Sequence, residues 1–488
     1  MVTTRALRYG SLIALVTILL QFSSANDVYL DCSSTSSGGD GSHSHPFNSL
    51  DEANQAVLGA GDTLSVKAGT TCFGTLSPQG SGTQKKPIML SSYGDGPLPI
   101  INGSGATEAV RLTNQDYWDI SKIAVINPAP KIAWRRGILA TSDDGSVHRG
   151  LYIHDVTVYN VAGETNKATH ANAFVASGGI LVNGTEHHSR YDDVQVYNNT
   201  VYDCGGGGIK VRVGQMDNRG QDTHVWNNNI SYVGGDGIVV SYGASPLIEG
   251  NLCGYLGHGK YPWTGGNFAG IWVLGCRDAV MRFNAVHDSL MSLIDSEAFD
   301  CDWGNEGTCT VEYNYSHDNA GGIFLNCDGC GTPGGAKQII RYNIFQNDCR
   351  MYSNGDNVEM EFYNNVVYCP NKDFEIAVPP QTNLSNNIWV GTADSTLPTG
   401  ESIEWRANLF QTVSKPDDTA GTTGDPHFIN PGTGKDSIDS VDGYRLRSQS
   451  PALLQGVVVE ENGGRDFWNN AVSPVDRPNI GAYNGKGL

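Results

Sequence analysis

Val196-Tyr197-Asn198-Asn199, Val225-Trp226-Asn227-Asn228-Asn229, Ile248-Glu249-Gly250-Asn251 and Met281-Arg282-Phe283-Asn284 repeat one short pattern, a strand that ends on asparagine. The pattern runs on through Val311-Glu312-Tyr313-Asn314, Ile340-Arg341-Tyr342-Asn343, Glu361-Phe362-Tyr363-Asn364-Asn365, Leu384-Ser385-Asn386-Asn387 and Trp405-Arg406-Ala407-Asn408. Counted on Asn199, Asn229, Asn251, Asn284, Asn314, Asn343, Asn365, Asn387 and Asn408, the steps are 30, 22, 33, 30, 29, 22, 22 and 21. The short steps define a minimal coil, and the long ones are the same coil with roughly eight to eleven residues of loop inserted. A β-sandwich also carries many short strands, but it has no reason to keep one asparagine in phase over nine units. Stacked coils do, because strands repeat every ~4.8 Å and amides can then bond from coil to coil. The expected fold is all-β, a right-handed parallel β-helix (a solenoid), with an N-terminal cap and an irregular C-terminal segment.

A second family of strands follows the first. It reads Gly208-Ile209-Lys210-Val211-Arg212, Gly237-Ile238-Val239-Val240-Ser241, Gly270-Ile271-Trp272-Val273-Leu274, Ala298-Phe299-Asp300-Cys301-Asp302 and Gly322-Ile323-Phe324-Leu325-Asn326. Strand side chains alternate between faces. Ile209/Val211, Ile238/Val240, Ile271/Val273, Phe299/Cys301 and Ile323/Leu325 are therefore expected inside. Lys210/Arg212, Trp272/Leu274, Asp300/Asp302 and Phe324/Asn326 are expected on the outer face.

The ends differ from the middle. Arg5 and Arg8 precede an apolar run over Leu12–Leu20 and small residues at Ser23-Ser24-Ala25, the pattern of a secretory signal over residues 1–25. Residues 26–100 read as cap and first coils, 101–410 as the helix, and 411–488 as a segment that packs along it or closes its end. No later stretch is apolar enough to span a membrane. Eleven cysteines suit an oxidising, extracellular location. Cys32 and Cys72 are expected to pair, and Cys327-x-x-Cys330 reads as a disulfide or buried thiol in the absence of a second pair at zinc spacing. Sequons at Asn102, Asn183, Asn198, Asn229, Asn314 and Asn383 offer glycosylation acceptors. A net charge of −20 excludes nucleic acid as a partner, since phosphate recognition needs a basic face. A monomer acting on a polysaccharide is expected.

The N-terminal cap, the Asn-bearing coils and the segment Glu312-Tyr313-Asn314-Tyr315-Ser316-His317-Asp318-Asn319 together resemble the secreted, carbohydrate-active members of the pectate-lyase-like superfamily. That resemblance covers nearly all of the mature chain, and it implies a β-helix and action on carbohydrate without specifying a reaction. Glycoside hydrolases, polysaccharide lyases, epimerases and non-catalytic surface proteins all belong there. The polygalacturonase-type pattern is absent: Gly257-His258-Gly259 lies in a Gly-rich insertion without its companion motifs.

Chemistry must therefore come from the residues. Asp295-Ser296-Glu297-Ala298-Phe299-Asp300-Cys301-Asp302 packs four carboxylates into eight positions. Asp300 and Asp302 share a face with backbones ~6.6 Å apart. That spacing suits an inverting glycosidase, one carboxyl acting as acid while the other activates water. Glu297, or Asp295 at the preceding turn, is a third candidate. Trp272 and Asn326, on the flanking coils, are the expected substrate contacts. The steps of 33, 30 and 29 bracket this coil, so loops thicken where a cleft would need walls. His287-Asp288 and His317-Asp318 recur one coil apart, and stacked acids there point either to a functional or metal role or to backbone bonding.

Three functions follow. Hydrolysis by Asp300, Asp302 and Glu297, with Lys210, Arg212, His317 and Asp318 near the substrate, needs no cofactor. A lyase would use Lys210 or Arg212 as base, with calcium on the acidic coil, although ~14 Å separates the two. A carbohydrate-binding β-helix would do neither.

Overall fold

The computed structural model describes residues 25–36 and 38–488; the leader expected over residues 1–25 therefore lies outside the described residues, its last residue excepted. The chain winds through three parallel sheets per turn, as a right-handed β-helix. The first sheet has 14 strands, from Asp27–Leu30 to Ile403–Arg406. The second carries short strands such as Ala285–His287 and Tyr315–His317. The third carries Gly234–Ser241, Ile271–Leu274, Glu297–Asp302 and Gly322–Cys327.

The asparagine ladder occupies the corner between the first two sheets. In each rung the Oδ1 of one Asn accepts both the backbone N–H and the side-chain N–H of the Asn before it. Its own Nδ2 reaches a backbone carbonyl of the preceding coil, as Asn314 does to Met281 at 2.9 Å. Two details differ from the sequence reading. The rung in Asn227-Asn228-Asn229 is Asn228, not Asn229, so the steps there are 29 and 23. The left-handed residue of the corner is the one before the rung, whether Asn227, Gly250, Phe283 or Tyr313 (φ +54 to +66°). An Asn at both places makes the triplet ambiguous by sequence alone. The ladder ends on Asp418, whose carboxylate takes the N–H groups of Ala407 and Asn408. The sequon at Asn314 is closed, because that side chain is a fully buried rung.

Inside the coils one apolar column runs the length of the molecule, with Ile209, Ile238, Ile271, Phe299 and Phe324 stacked in register. Cys32 and Cys72 pair as expected, and Cys301–Cys309, Cys327–Cys330 and Cys349–Cys369 add three more bridges. Cys204, Cys253 and Cys276 are buried thiols. Residues 411–488 lie back along the second sheet. Phe428, Val441, Tyr444 and Ile480 cover Tyr315, Ile344, Val366 and Ile388. Among the described residues no helix is long and apolar enough to cross a membrane.

Candidate active site

The third sheet carries the acidic coil. Glu297–Asp302 pairs with Ile271–Leu274 on one side and Gly322–Cys327 on the other, and Trp272 lies directly opposite Asp300. Phe299 and Cys301 point into the core, so Asp300 and Asp302 face outward together, as the alternation requires. Cys301–Cys309 and Cys327–Cys330 hold the strand ends beside Asp302. Since Cys327 and Cys330 are oxidised, the Asp302–Cys327–Cys330 cluster offers no thiolate to a metal.

The four carboxylates are not equivalent. Glu297 is fully buried and its Oε1 takes a 2.5 Å ion pair from Arg350, which also donates to the Gly321 carbonyl. Its Oε2 has no partner. Burial pushes Glu297 up to about 8 in spite of the guanidinium. Asp300 is only 5 % exposed, and its Oδ1 is buried without a hydrogen bond. Burial, with the charge of Asp302 next, drives it well above the ordinary carboxylate range. Asp302 and Asp295 are partly buried, each with some surface left in solvent. Burial lifts Asp302 to about 7, the charges of Asp295 and Asp236 adding to it, and lifts Asp295 to about 6. The accessible acids are thus Asp295 and Asp302, and Asp300 and Glu297 lie beneath them. Burial raises both, and the charge of Asp295 adds to the rise at Asp302, which favours a state with one acid protonated and the other ionised.

Other expected contacts are placed differently. Asn326 was expected on the outer face, but it aligns with the inward Cys301 and is fully buried. Its amide joins Ser353, the Gly355 carbonyl and Gln338. The strand sits one residue out of the Gly-Ile phase, with Gly322 opposite Glu297 and Phe324, not Ile323, opposite Phe299. Ile323, Phe324 and Leu325 are all apolar, so alternation could not choose, and a slip of one residue turns every side chain over. Leu325 and Cys327 are the outward pair.

Lys210 was expected as an exposed base, yet it is 2 % exposed. The short helix Ala171–Val175 lies over it, and its ammonium donates to the carbonyls of Phe174 and Gly206 and pairs with Asp236 at 3.2 Å. Burial lowers it to about 8. Arg212 stays half-exposed at the edge of a small cavity of about 130 Å³ that also touches Val175, Trp272 and Trp303. Trp272 is not an open platform either. It is 8 % exposed, its Nε1 donates to Asp236 at 3.0 Å, and the Lys167 ammonium stands 5.4 Å over its ring. His317 is buried under the C-terminal segment, away from open solvent, and Asp318 bonds His317 and Asn347.

Three residues join the site from elsewhere: Asp236 from two coils before, Arg350 from two coils after, and Lys167 from a loop more than a hundred residues upstream. Lys167 counts among the charges that hold Asp295, Asp300 and Asp302 down against their burial. Only Asp236 left a trace in the sequence, as an acid in the glycine run Gly234-Gly235-Asp236-Gly237. Next to Asp295 the loop Leu290–Ile294 exposes Leu290, Met291, Leu293 and Ile294.

The right-handed beta helix region family model matches residues 178–368, a stretch that carries the acidic coil and the ladder from Asn199 to Asn365. Over 90% of its length the chain is 24% identical to a lacto-N-biosidase of Bifidobacterium longum, but it spans only 35% of that protein. Among solved structures it is similar to the GH136 lacto-N-biosidase of Eubacterium ramulus, with a TM-score of 0.55 at 18% identity, covering 82% of this chain and 67% of that one. It is also similar to XylC in complex with xylose, at a TM-score of 0.50 and 10% identity over 94% of this chain and 98% of that one. The chain shares the right-handed β-helix of carbohydrate-active proteins.

Proposed function

We propose that this protein is an extracellular glycoside hydrolase that cleaves oligosaccharide or polysaccharide chains laid across the third sheet. Asp302 and Asp295 are the acid and base pair. Asp300 and Glu297, beneath them, are positioning residues that keep the local environment dry and the outer pair's affinity for protons high. The observation that carries this reading is the burial pattern: Asp295 and Asp302, both raised, keep some surface in solvent, and Asp300 and Glu297 do not. Displacing a glycosidic oxygen needs one protonated and one ionised carboxyl within a single site. The similarity to lacto-N-biosidases agrees with hydrolysis and suggests that a lacto-N-biosidase activity be tried first. The apolar leader of the sequence and the four disulfides support action outside the cell.

A lyase needs an exposed base near the acidic coil, and the enclosure of Lys210 argues against it in that role. The deciding assay incubates the protein with aryl glycosides, the lacto-N-biose derivative among them, and with a panel of plant, algal and microbial polysaccharides. New reducing ends without ultraviolet absorbance support hydrolysis. An unsaturated, chelator-sensitive product overturns it in favour of a lyase, and affinity without any product overturns it in favour of a binding protein.

A further inference from the structure

On the second sheet, away from the acidic coil, Ala285–His287 and Tyr315–His317 lie in register, with His287 opposite His317. Their imidazoles stack at 5.0 Å and 3°. Each ring is held by the acid that follows it: His287 Nδ1 by Asp288 and His317 Nδ1 by Asp318, both at 2.9 Å. Both aspartates are left-handed, φ +53 and +54°, and so can turn back onto the preceding side chain. At Gly254, the partner of His287 on the coil before, a Cβ would fall within 2.4 Å of the ring. The repeated His-Asp pair therefore fixes two neighbouring imidazoles by Nδ1 and leaves Nε2 for another partner.

His317 Nε2 has none. It is buried without a hydrogen bond, in a side chain 8 % exposed, and Asp436 of the C-terminal segment approaches it at 3.9 Å. A buried ring nitrogen without a partner carries an uncompensated desolvation cost unless something occupies it. His287, Asp288, His317 and Asp436 each present one ligand atom within 4.8 Å of the others.

We propose that His287, His317 and Asp436, with Asp288 at the margin, bind a divalent transition metal, zinc being the best fit. Imidazole nitrogens with a carboxylate favour zinc over calcium or magnesium, which take oxygen ligands. A carboxylate behind each ligating histidine is the usual outer partner of such a site, orienting the ring and raising its basicity. Tetrahedral zinc sets its ligand atoms ~3.4 Å apart, so the site closes by a small tilt of the two rings and an inward shift of the exposed Asp436. The ion would tie residues 411–488 to the coils by a bond independent of their apolar contacts. It would also anchor the start of the loop that runs from Asp288 to Asp295.

The test uses the tag-free, chelator-treated full chain. Cobalt(II) titration followed by visible absorption, and zinc titration by calorimetry, should show one equivalent bound, with the thermal midpoint rising by ~3 °C in excess zinc and unmoved by calcium. Asp436→Asn, on the exposed side of the site, should weaken binding about 10-fold or more, and His317→Gln should abolish it. If His317→Gln does not fold, Asp318→Asn takes its place and should weaken binding by a similar factor. No stoichiometric uptake by the native chain, or uptake undiminished in the variants, overturns the site.

Discussion

The asparagine corner and the acidic coil are both rows of buried polar side chains on the same solenoid, and they are built on opposite terms. At the corner each amide gives and takes its bonds: Asn314 offers two donors to Asn343, one to Met281, and accepts two from Asn284. On the coil, Glu297 and Asp300 each keep a buried oxygen without a hydrogen bond. Satisfied polar burial specifies the stacking, whereas unsatisfied burial stores free energy that shows as displaced proton affinity. A helix that satisfies its amides so completely along one corner has no structural need for the open acids on another face, which is why they point to chemistry.

The sharpest way to break this contrast is at the exposed acids. Asp302→Asn should lower kcat/KM by ~10³-fold or more, with the β-sheet circular dichroism and the thermal midpoint kept. A fully active variant would move the site elsewhere. On the ladder the effect should invert: Asn343→Ala strands two donors of Asn314, and denaturant titration should show a loss of about 2–4 kcal/mol, while activity per folded molecule stays unchanged.

Smaller effects test the electrostatics. Asp300 has a folded pKa above its unfolded value, so between the two the native state binds the extra proton and stability falls as pH rises. Asp300→Asn removes that loss. Its thermal midpoint should match the native protein near pH 4 and exceed it by ~2 °C at pH 8; a variant destabilised at pH 8 would mean that Asp300 is ionised and paired. The smallest shift is expected in the pH dependence of kcat/KM, a bell with limbs near about 6 and about 7 from Asp295 and Asp302. Removing the cation in Lys167→Met should carry the limbs upward by ~0.5 unit, since its charge lowers both acids.

Much of the fold is legible in the residues because a solenoid is nearly one-dimensional: each coil contacts its neighbours, so the period of the sequence is the geometry. The phase of Asp300 and Asp302 follows from that, while the Cys32–Cys72 pair was legible because the two cysteines stand alone in the N-terminal region. The failures are one residue wide or one loop away. Asn229 took the place of Asn228 because two adjacent amides satisfy the same pattern, and Asn326 was read outward because three apolar neighbours erase alternation. Lys210 and Trp272 stand where their strands put them, yet the segment over residues 162–177 covers them, and strand phase is silent about what such segments cover.

The sequence by itself determined the architecture, the outward row that ends in Asp300 and Asp302, and the density of acid on that coil, because all three depend on spacing along the chain. Only the tertiary structure decided which acids reach solvent, which are held protonated by burial, and that Asp236, Lys167, Arg350 and the stacked His287 and His317 have the neighbours they do. Those properties belong to distances through space between segments far apart in sequence, and burial and charge act across such distances with no period to announce them.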